Sequence, residues 1–345
     1  MRLKLVVSTN RRTLAATLLL LLGAPACAPS QARPPETPPV DLTEPSAGAS
    51  KKPTPRSSPL VREAEALLAN GDAEAAKAKF EQAVQADAAD VRALLGLGLS
   101  FEALQKPADA ERAYRAAIEA DESFAEAHNN LGLLLRDRGD DAAAIAALTR
   151  ATEADPRLAS AVQNLALALE DAGRFDEAAA AYQKAVQLAP KDALLRANRG
   201  LFLLGRGDRE GALVELRAGL EPARGDRAAL LTLGNGFRRA EKPDEAVRAV
   251  RLAIEAGDGK PTPALLSELA LAQNAAKDAA GAKQSLKEAL ALDPKYATAH
   301  YLLGSIEAAA GDARAARGHY DRCIALEPKG PLAAKAKEKL AALKR

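Results

Sequence analysis

The sequence predicts an all-α fold: a solenoid of about eight stacked helix–turn–helix units closed by a C-terminal capping helix. Three observations predict it. Apolar residues make up 48% of the chain and are mostly Ala and Leu, aromatic residues only 3%, Trp is absent and the one Met is the initiator, a mixture that favours helix throughout. Alternating β-branched runs, the mark of half-buried strands, are missing after the first ten residues, so no sheet is expected. Residue types also recur with a period of 34 over residues 57–330.

The chain opens with a different kind of segment. Arg2, Lys4, Arg11 and Arg12 precede a short apolar stretch from Thr13 to Ala26 that ends in small residues, which reads as a secretory signal over residues 1–26. The apolar run is too short to span a bilayer core of about 30 Å. Removing those four bases turns a formal charge of +2 into 44 basic against 46 acidic residues, with both signs interspersed along the chain. No basic stripe exists for nucleic acid. Residues 27–56 are rich in Pro, Ser and Thr and cannot bury enough apolar surface to fold, so they read as an extended tether.

Ala24-Pro25-Ala26-Cys27 resembles the lipobox of bacterial lipoproteins, which implies that Cys27 carries a diacylglycerol thioether. The match departs from that pattern at Ala24, where Leu is preferred, and at Pro25, so ordinary cleavage after Ala26 is the other outcome and would leave a soluble periplasmic protein. Ala28, where an Asp would favour the inner membrane, implies by the same resemblance the periplasmic face of a bacterial outer membrane.

From Ser57 the chain aligns in rows of 34 that begin at Ser57, Val91, Ala125, Ala159, Ala193, Arg227, Pro263 and Ala297. Columns seven and eight pair a large residue with a small one, as in Leu97-Gly98, Leu131-Gly132, Leu165-Ala166 and Leu303-Gly304. Column fifteen holds Gly71, Gly139, Gly173, Gly207 and Gly311, and column twenty is Ala in every row. Such a Gly can take the left-handed conformation that ends one helix and turns into the next. Pro107 and Pro243 in column seventeen suit the first turn of a second helix, where a missing N–H costs little. Small residues in columns eight and twenty let two helices approach, and large ones in columns seven, eleven and twenty-four, Phe80, Tyr114, Tyr182 and Tyr320 among them, fill the crossing.

These columns identify the chain as a member of the tetratricopeptide repeat family, with eight repeats over residues 57–330. The resemblance implies a right-handed superhelix in which each pair buries its apolar face on its neighbours. Residues 331–345 are expected to cap the last repeat, with Leu332, Ala336, Leu340 and Leu343 inward and Lys335, Lys337, Lys339 and Lys344 in water. The pattern frays in row one, which lacks the Leu-Gly pair, and in row five, at Gly219 and Pro222. Two extra residues enlarge the loop 257–261. The stretch from Gly219 to that loop reads as a weak joint.

No constellation for chemistry appears. Gly257-Asp258-Gly259-Lys260 lacks the earlier Gly of a phosphate loop, and Gly96-Leu97-Gly98 follows no strand. His128, His300 and His319 read as packed or solvated residues, Cys323 as a small buried thiol, and neither a metal nor a cofactor is expected.

Columns two, five, six, nine, twelve and thirteen form one stripe of the first helix, which in this family lines the concave groove. Column six gives Asn130, Asn164 and Asn198, surrounded by Asn129, Gln163, Arg136, Asp137, Glu170 and Asp171. An amide both donates and accepts, so a row of them can grip an extended peptide backbone. The row resembles the asparagine ladder of O-linked N-acetylglucosamine transferase, although Asn in column six is also common in the family for its own sake. Asn235, Arg238 and Arg239 make the later groove more basic. The Lys and Asn arrangement that clamps C-terminal carboxylates in chaperone-binding members is missing.

Together these features imply a periplasmic protein–protein interaction scaffold, not an enzyme, anchored by lipid to the outer membrane. It would bind an extended peptide or partner protein in an envelope assembly, resembling pilotins of secretin and pilus systems or gliding-motility lipoproteins. The alternative is an adaptor that recruits or regulates an envelope enzyme such as a peptidoglycan hydrolase or synthase.

Overall fold

A computed structural model describes residues 58–256 and 259–343. The signal, the tether and Cys27 lie outside the described residues. Within them the chain forms seventeen helices and no strand. They are α1 (Pro59–Ala69), α2 (Ala73–Ala86), α3 (Val91–Ala103), α4 (Pro107–Ala120), α5 (Ala125–Arg138), α6 (Asp141–Ala154), α7 (Ala159–Asp171), α8 (Phe175–Leu188) and α9 (Ala193–Gly205). The second half adds α10 (Arg209–Leu220), α11 (Arg227–Arg239), α12 (Pro243–Glu255), α13 (Pro263–Ala275), α14 (Ala279–Leu292), α15 (Ala297–Ala309), α16 (Ala313–Leu326) and α17 (Pro331–Ala342).

The turn inside each pair has one design. In all eight rows the column-fifteen residue has positive φ: 74 to 84° at Gly71, Gly139, Gly173, Gly207 and Gly311, and 52 to 63° at Gln105, Glu241 and Lys277. The next N–H then reaches back to column eleven, as from Asp140 to Leu135 at 3.0 Å and from Lys242 to Phe237 at 2.8 Å. This is the Schellman arrangement, which satisfies carbonyls that the helix end would orphan. Asp72, Asp140, Asp208, Asp278 and Asp312 then cap the second helix of their pairs by accepting an N–H from its first turn. Pro107 and Pro243 instead start their helices behind Lys106 and Lys242, which make no side-chain cap bond.

Close packing inside each pair follows from columns eight and twenty-four. A Cβ on Gly98 would lie 2.3 Å from the Tyr114 ring, one on Gly132 2.5 Å from Leu148, and one on Gly304 2.8 Å from Tyr320. At these three places only hydrogen at column eight admits the large residue opposite. Row one is regular apart from a shorter first helix, because the fully buried Ala64 takes the small position.

The chain divides into two compact units, the first ending at Leu188 and the second beginning at Ala189. This corrects the expected weak joint at the end of row five. Gly219 there receives Leu233, whose Cδ2 would lie 3.0 Å from an added Cβ, and Ala223 is fully buried in one core with Leu230, Leu233 and Phe237. Gly219 is therefore a packing choice, while Pro222 is exposed beside it. Gly257 and Asp258 of the enlarged loop lie outside the described residues.

In α17, Leu332, Ala333 and Ala336 are buried, Leu340, Leu343 and Lys335 are half-buried, and Lys337 and Lys339 are exposed.

Candidate functional site

The first-helix stripe of the first unit begins with amides, and their placement corrects the simplest expectation for them. Asn129 and Asn130 on α5 are each only 3% exposed. The Asn164 amide on α7 donates to Asn129 Oδ1 at 2.9 Å, and Asn129 in turn donates to Asn130 Oδ1 at 3.1 Å. Asn130 Nδ2 is buried with no partner. Columns five and six of α5 thus face neighbouring helices, and the amides join one repeat to the next. Of this group Asn164 and Gln163 remain half-buried and reachable, and Asn198, also half-buried, belongs to the second unit.

Two turns on, columns twelve and thirteen carry charge. Arg136 of α5 donates from Nε to Asp171 of α7 at 2.6 Å, bridging adjacent repeats. The Tyr182 hydroxyl donates to Glu170 Oε2 at 2.6 Å, and burial, then the Glu170 charge, raises that phenol well above its ordinary range. Row two places the same residue pair without closing the bond: the Tyr114 hydroxyl is buried and makes no hydrogen bond among the described residues, and burial pushes the Glu102 carboxyl up to about 7, opposed by the Tyr114 hydroxyl and reinforced by Asp137. Glu102 and Tyr114 were legible as a pair, since both sit in the same columns as Glu170 and Tyr182, yet Glu102 was not singled out from sequence. Asp137 and Asp171 are exposed.

In the second unit the stripe turns cationic. Arg238 on α11 donates to Asn235 Oδ1 at 3.0 Å, and Arg239 beside it is exposed. Burial lowers the Arg238 pKa, and the nearby Glu268 of α13 offsets this; burial raises the Glu268 carboxyl, which Arg238 offsets in turn. Glu268 lies in column six, where the first unit has amides. On the same unit, Arg196 and Arg199 of α9 clamp the buried Glu215 of α10 at 2.8 and 2.5 Å. Among the described residues no three His, Cys, Asp or Glu side chains converge as a metal site, and no helix is long and apolar enough to cross a membrane.

The arrangement of paired helices is one that sequence profiles also detect. Profiles described as tetratricopeptide repeat match residues 61–108, 95–159 and 231–296, and others of the same description match 159–192 and 273–340. The chain belongs to the tetratricopeptide repeat family. Repeats of this family bind other proteins or peptides, which makes the chain a protein-interaction scaffold.

Solved structures show the same fold. Yeast Tom70 aligns at 16% identity and a TM-score of 0.57, covering 88% of this chain and 67% of that one. The hetero-tetramer Cut9–Hcn1 of the APC/C aligns at 16% identity and 0.55, covering 83% of this chain, which spans only 55% of its counterpart. A tetratricopeptide repeat protein from Parabacteroides merdae aligns at 17% identity and 0.52, covering 74% of this chain and 99% of that one. No curated protein matches the sequence.

Proposed function

We propose that this tetratricopeptide repeat protein is an exported scaffold, held by lipid on Cys27 at the periplasmic face of a bacterial outer membrane. It presents its first-helix faces to a partner protein or extended peptide of an envelope assembly of the secretin, pilus or motility type, without catalysis of its own. The observation that carries this reading is the order of parts: a basic-then-apolar address ending in Ala24-Pro25-Ala26-Cys27, a proline-rich tether, then repeats of a protein-binding family. A tether of about 30 residues at about 3.1 Å each reaches at most about 90 Å, so the repeats work away from the bilayer surface.

The reachable side chains define what each unit can hold. Gln163, Asn164, Asp137 and Asp171 offer the first unit a polar, net acidic face suited to backbone amides and basic side chains. Asn198, Asn235 and Arg239 offer the second a face suited to carbonyls and carboxylates.

The test compares the intact chain with Cys27→Ser in a Gram-negative host, by membrane fractionation, mass of the mature N-terminal peptide, and recovery of cross-linked partners. The reading expects a diacylated Cys27 in the outer-membrane fraction and capture of an envelope assembly component that depends on Asn164 and Arg239. A soluble periplasmic protein with a free N-terminus would overturn the anchor. Capture dominated by one peptidoglycan hydrolase or synthase would replace the assembly role with that of an enzyme adaptor.

A further inference from the structure

The last repeat brings together two of the chain's three histidines. His300 lies in the first turn of α15 and His319 in the middle of α16, nineteen residues apart, and the hairpin sets their Nδ1 atoms 3.2 Å from each other. The ring centroids are 5.5 Å apart with planes tilted by 35°. Both side chains are half-buried, so solvent reaches the pair from one side.

The tautomers are constrained. His300 also hydrogen-bonds the Pro294 carbonyl through its ring, and since Nδ1 faces His319 the nitrogen that does so is Nε2. The parallel His128, in the same column of row three, makes this contact from Nε2 to the Glu122 carbonyl at 2.9 Å. A carbonyl accepts only an N–H, so this contact favours the His300 tautomer with its proton on Nε2 and a lone pair on Nδ1. Without a bound ion, His319 Nδ1–H donates to that lone pair. When the His319 proton resides on Nε2 instead, two lone pairs stand 3.2 Å apart.

That separation is the bite of a two-imidazole chelate. Nitrogens 3.2 Å apart, each about 2.05 Å from one ion, subtend about 103° at it, close to a tetrahedral angle. The fixed Nε2–H to a backbone carbonyl is the outer contact that orients a metal-ligating histidine. We propose that His300 and His319 form a binding site for a late divalent transition ion such as nickel, zinc or copper(II), which bridges α15 to α16 with solvent in its remaining positions.

The surrounding charges divide. Glu307, near His319, favours a cation, while Lys283, bound to Glu307 at 2.7 Å, and Arg322, near His300, oppose one. No third His, Cys, Asp or Glu among the described residues completes the set, so the site binds through two protein ligands. Imidazole nitrogen selects these ions over magnesium or calcium. Ion binding requires both rings unprotonated and weakens as they take up protons.

Titration calorimetry of the full chain without a histidine tag, with nickel and zinc chloride and with magnesium chloride as control, tests this directly. The proposal expects one nickel or zinc ion per chain, an upward shift in Tm on binding, weaker binding at pH 5.5 than at pH 7.5, and no response to magnesium. His300→Ala and His319→Ala each abolish the binding, while His128→Ala keeps it, with circular dichroism reading the helicity of each variant separately. No binding by the unaltered chain overturns the site, as does binding that survives either substitution in a folded variant. His319→Gln, similar in volume and without an imidazole, repeats the test should His319→Ala lose helicity.

Discussion

Column twenty-four differs between the two units of this molecule. In the first unit it reads Phe80, Tyr114, Leu148 and Tyr182; in the second, Leu216, Val250, Leu286 and Tyr320. All eight side chains are buried, six of them against a glycine of their own repeat or the next. The two tyrosines of the first unit hold their hydroxyls near column-twelve carboxylates: Tyr182 donates to Glu170 at 2.6 Å, while the Tyr114 hydroxyl beside Glu102 makes no hydrogen bond among the described residues. The Tyr320 hydroxyl in the second unit donates instead to the neutral Ser305 hydroxyl, at 3.3 Å. A core position thus ties the acidic face of the first unit to its interior, whereas the second unit packs aliphatic side chains at three of four such places. The charge state of a binding face can therefore depend on what fills the core beneath it.

The largest effect should come from emptying that column. Tyr182→Ala and Leu216→Ala each remove a fully buried side chain and should destabilise by about 3–5 and about 2–5 kcal/mol. Chemical denaturation followed by circular dichroism reads both. The distinction between the units lies in the milder change Tyr182→Phe, which keeps the ring and removes the donor to Glu170. It should cost about 1–3 kcal/mol, because the half-buried carboxylate loses a charge-assisted bond. A free-energy change near zero for Tyr182→Phe would show that the tyrosine acts only by filling space, as Leu216 does.

Smaller, and opposite in sign between two places, are the responses to pH. Glu102 has a folded pKa of about 7, above the ordinary carboxylate value of 4.5, so the folded state holds a proton that the unfolded chain has released. Its contribution is favourable below pH 4.5, is lost as pH rises through the window to about 7, and is constant beyond. Glu102→Gln should remove this slope and raise stability at pH 8 by about 1–3 kcal/mol. His300 and His319 are shifted the other way, lowered first by burial, so their contribution is present above the ordinary value of 6.5 and lost as pH falls below it. Denaturation midpoints of the parent and Glu102→Gln from pH 4 to pH 8 measure the difference. An unchanged pH profile in Glu102→Gln would remove the link between core and face in row two.

The sequence carried the architecture because each repeat solves the same local problem. Gly139 marks a left-handed helix end, Asp140 caps α6, and Gly132 makes room for Leu148; all three lie within seventeen residues of one another. What a stripe residue does was less legible. Asn130, Asn164 and Asn198 occupy one column, yet Asn130 is buried and Asn164 is not, because exposure depends on the neighbouring repeat and not on the residue's own row. The histidine pair was illegible for a related reason: an antiparallel hairpin joins an early column of one helix to a late column of the next, a pairing that period alone does not reveal. Row five misled in the opposite direction. Gly219 looked like a defect until Leu233 was seen to occupy the space of its missing side chain.

Column fifteen gives the smallest effect and the finest comparison between the units. The same left-handed turn is made by Gly in five rows and by Gln105, Glu241 and Lys277 in three, one in the first unit and two in the second. A side chain at positive φ brings its Cβ against the following carbonyl at a cost of about 1 kcal/mol. Gln105→Gly and Lys277→Gly should therefore each stabilise by about 1 kcal/mol less the entropy that Gly adds to the unfolded chain, leaving a net gain of a few tenths to about 1 kcal/mol. Glu241→Gly should gain less, because Glu241 also pairs with Arg209 at 2.6 Å, an exposed contact between neighbouring hairpins worth about 0–1 kcal/mol. Denaturation of the three variants ranks them. If Glu241→Gly gained as much as the other two, the ion pair would contribute nothing; if none gained, the entropy that Gly adds to the unfolded chain would offset the relieved strain in full.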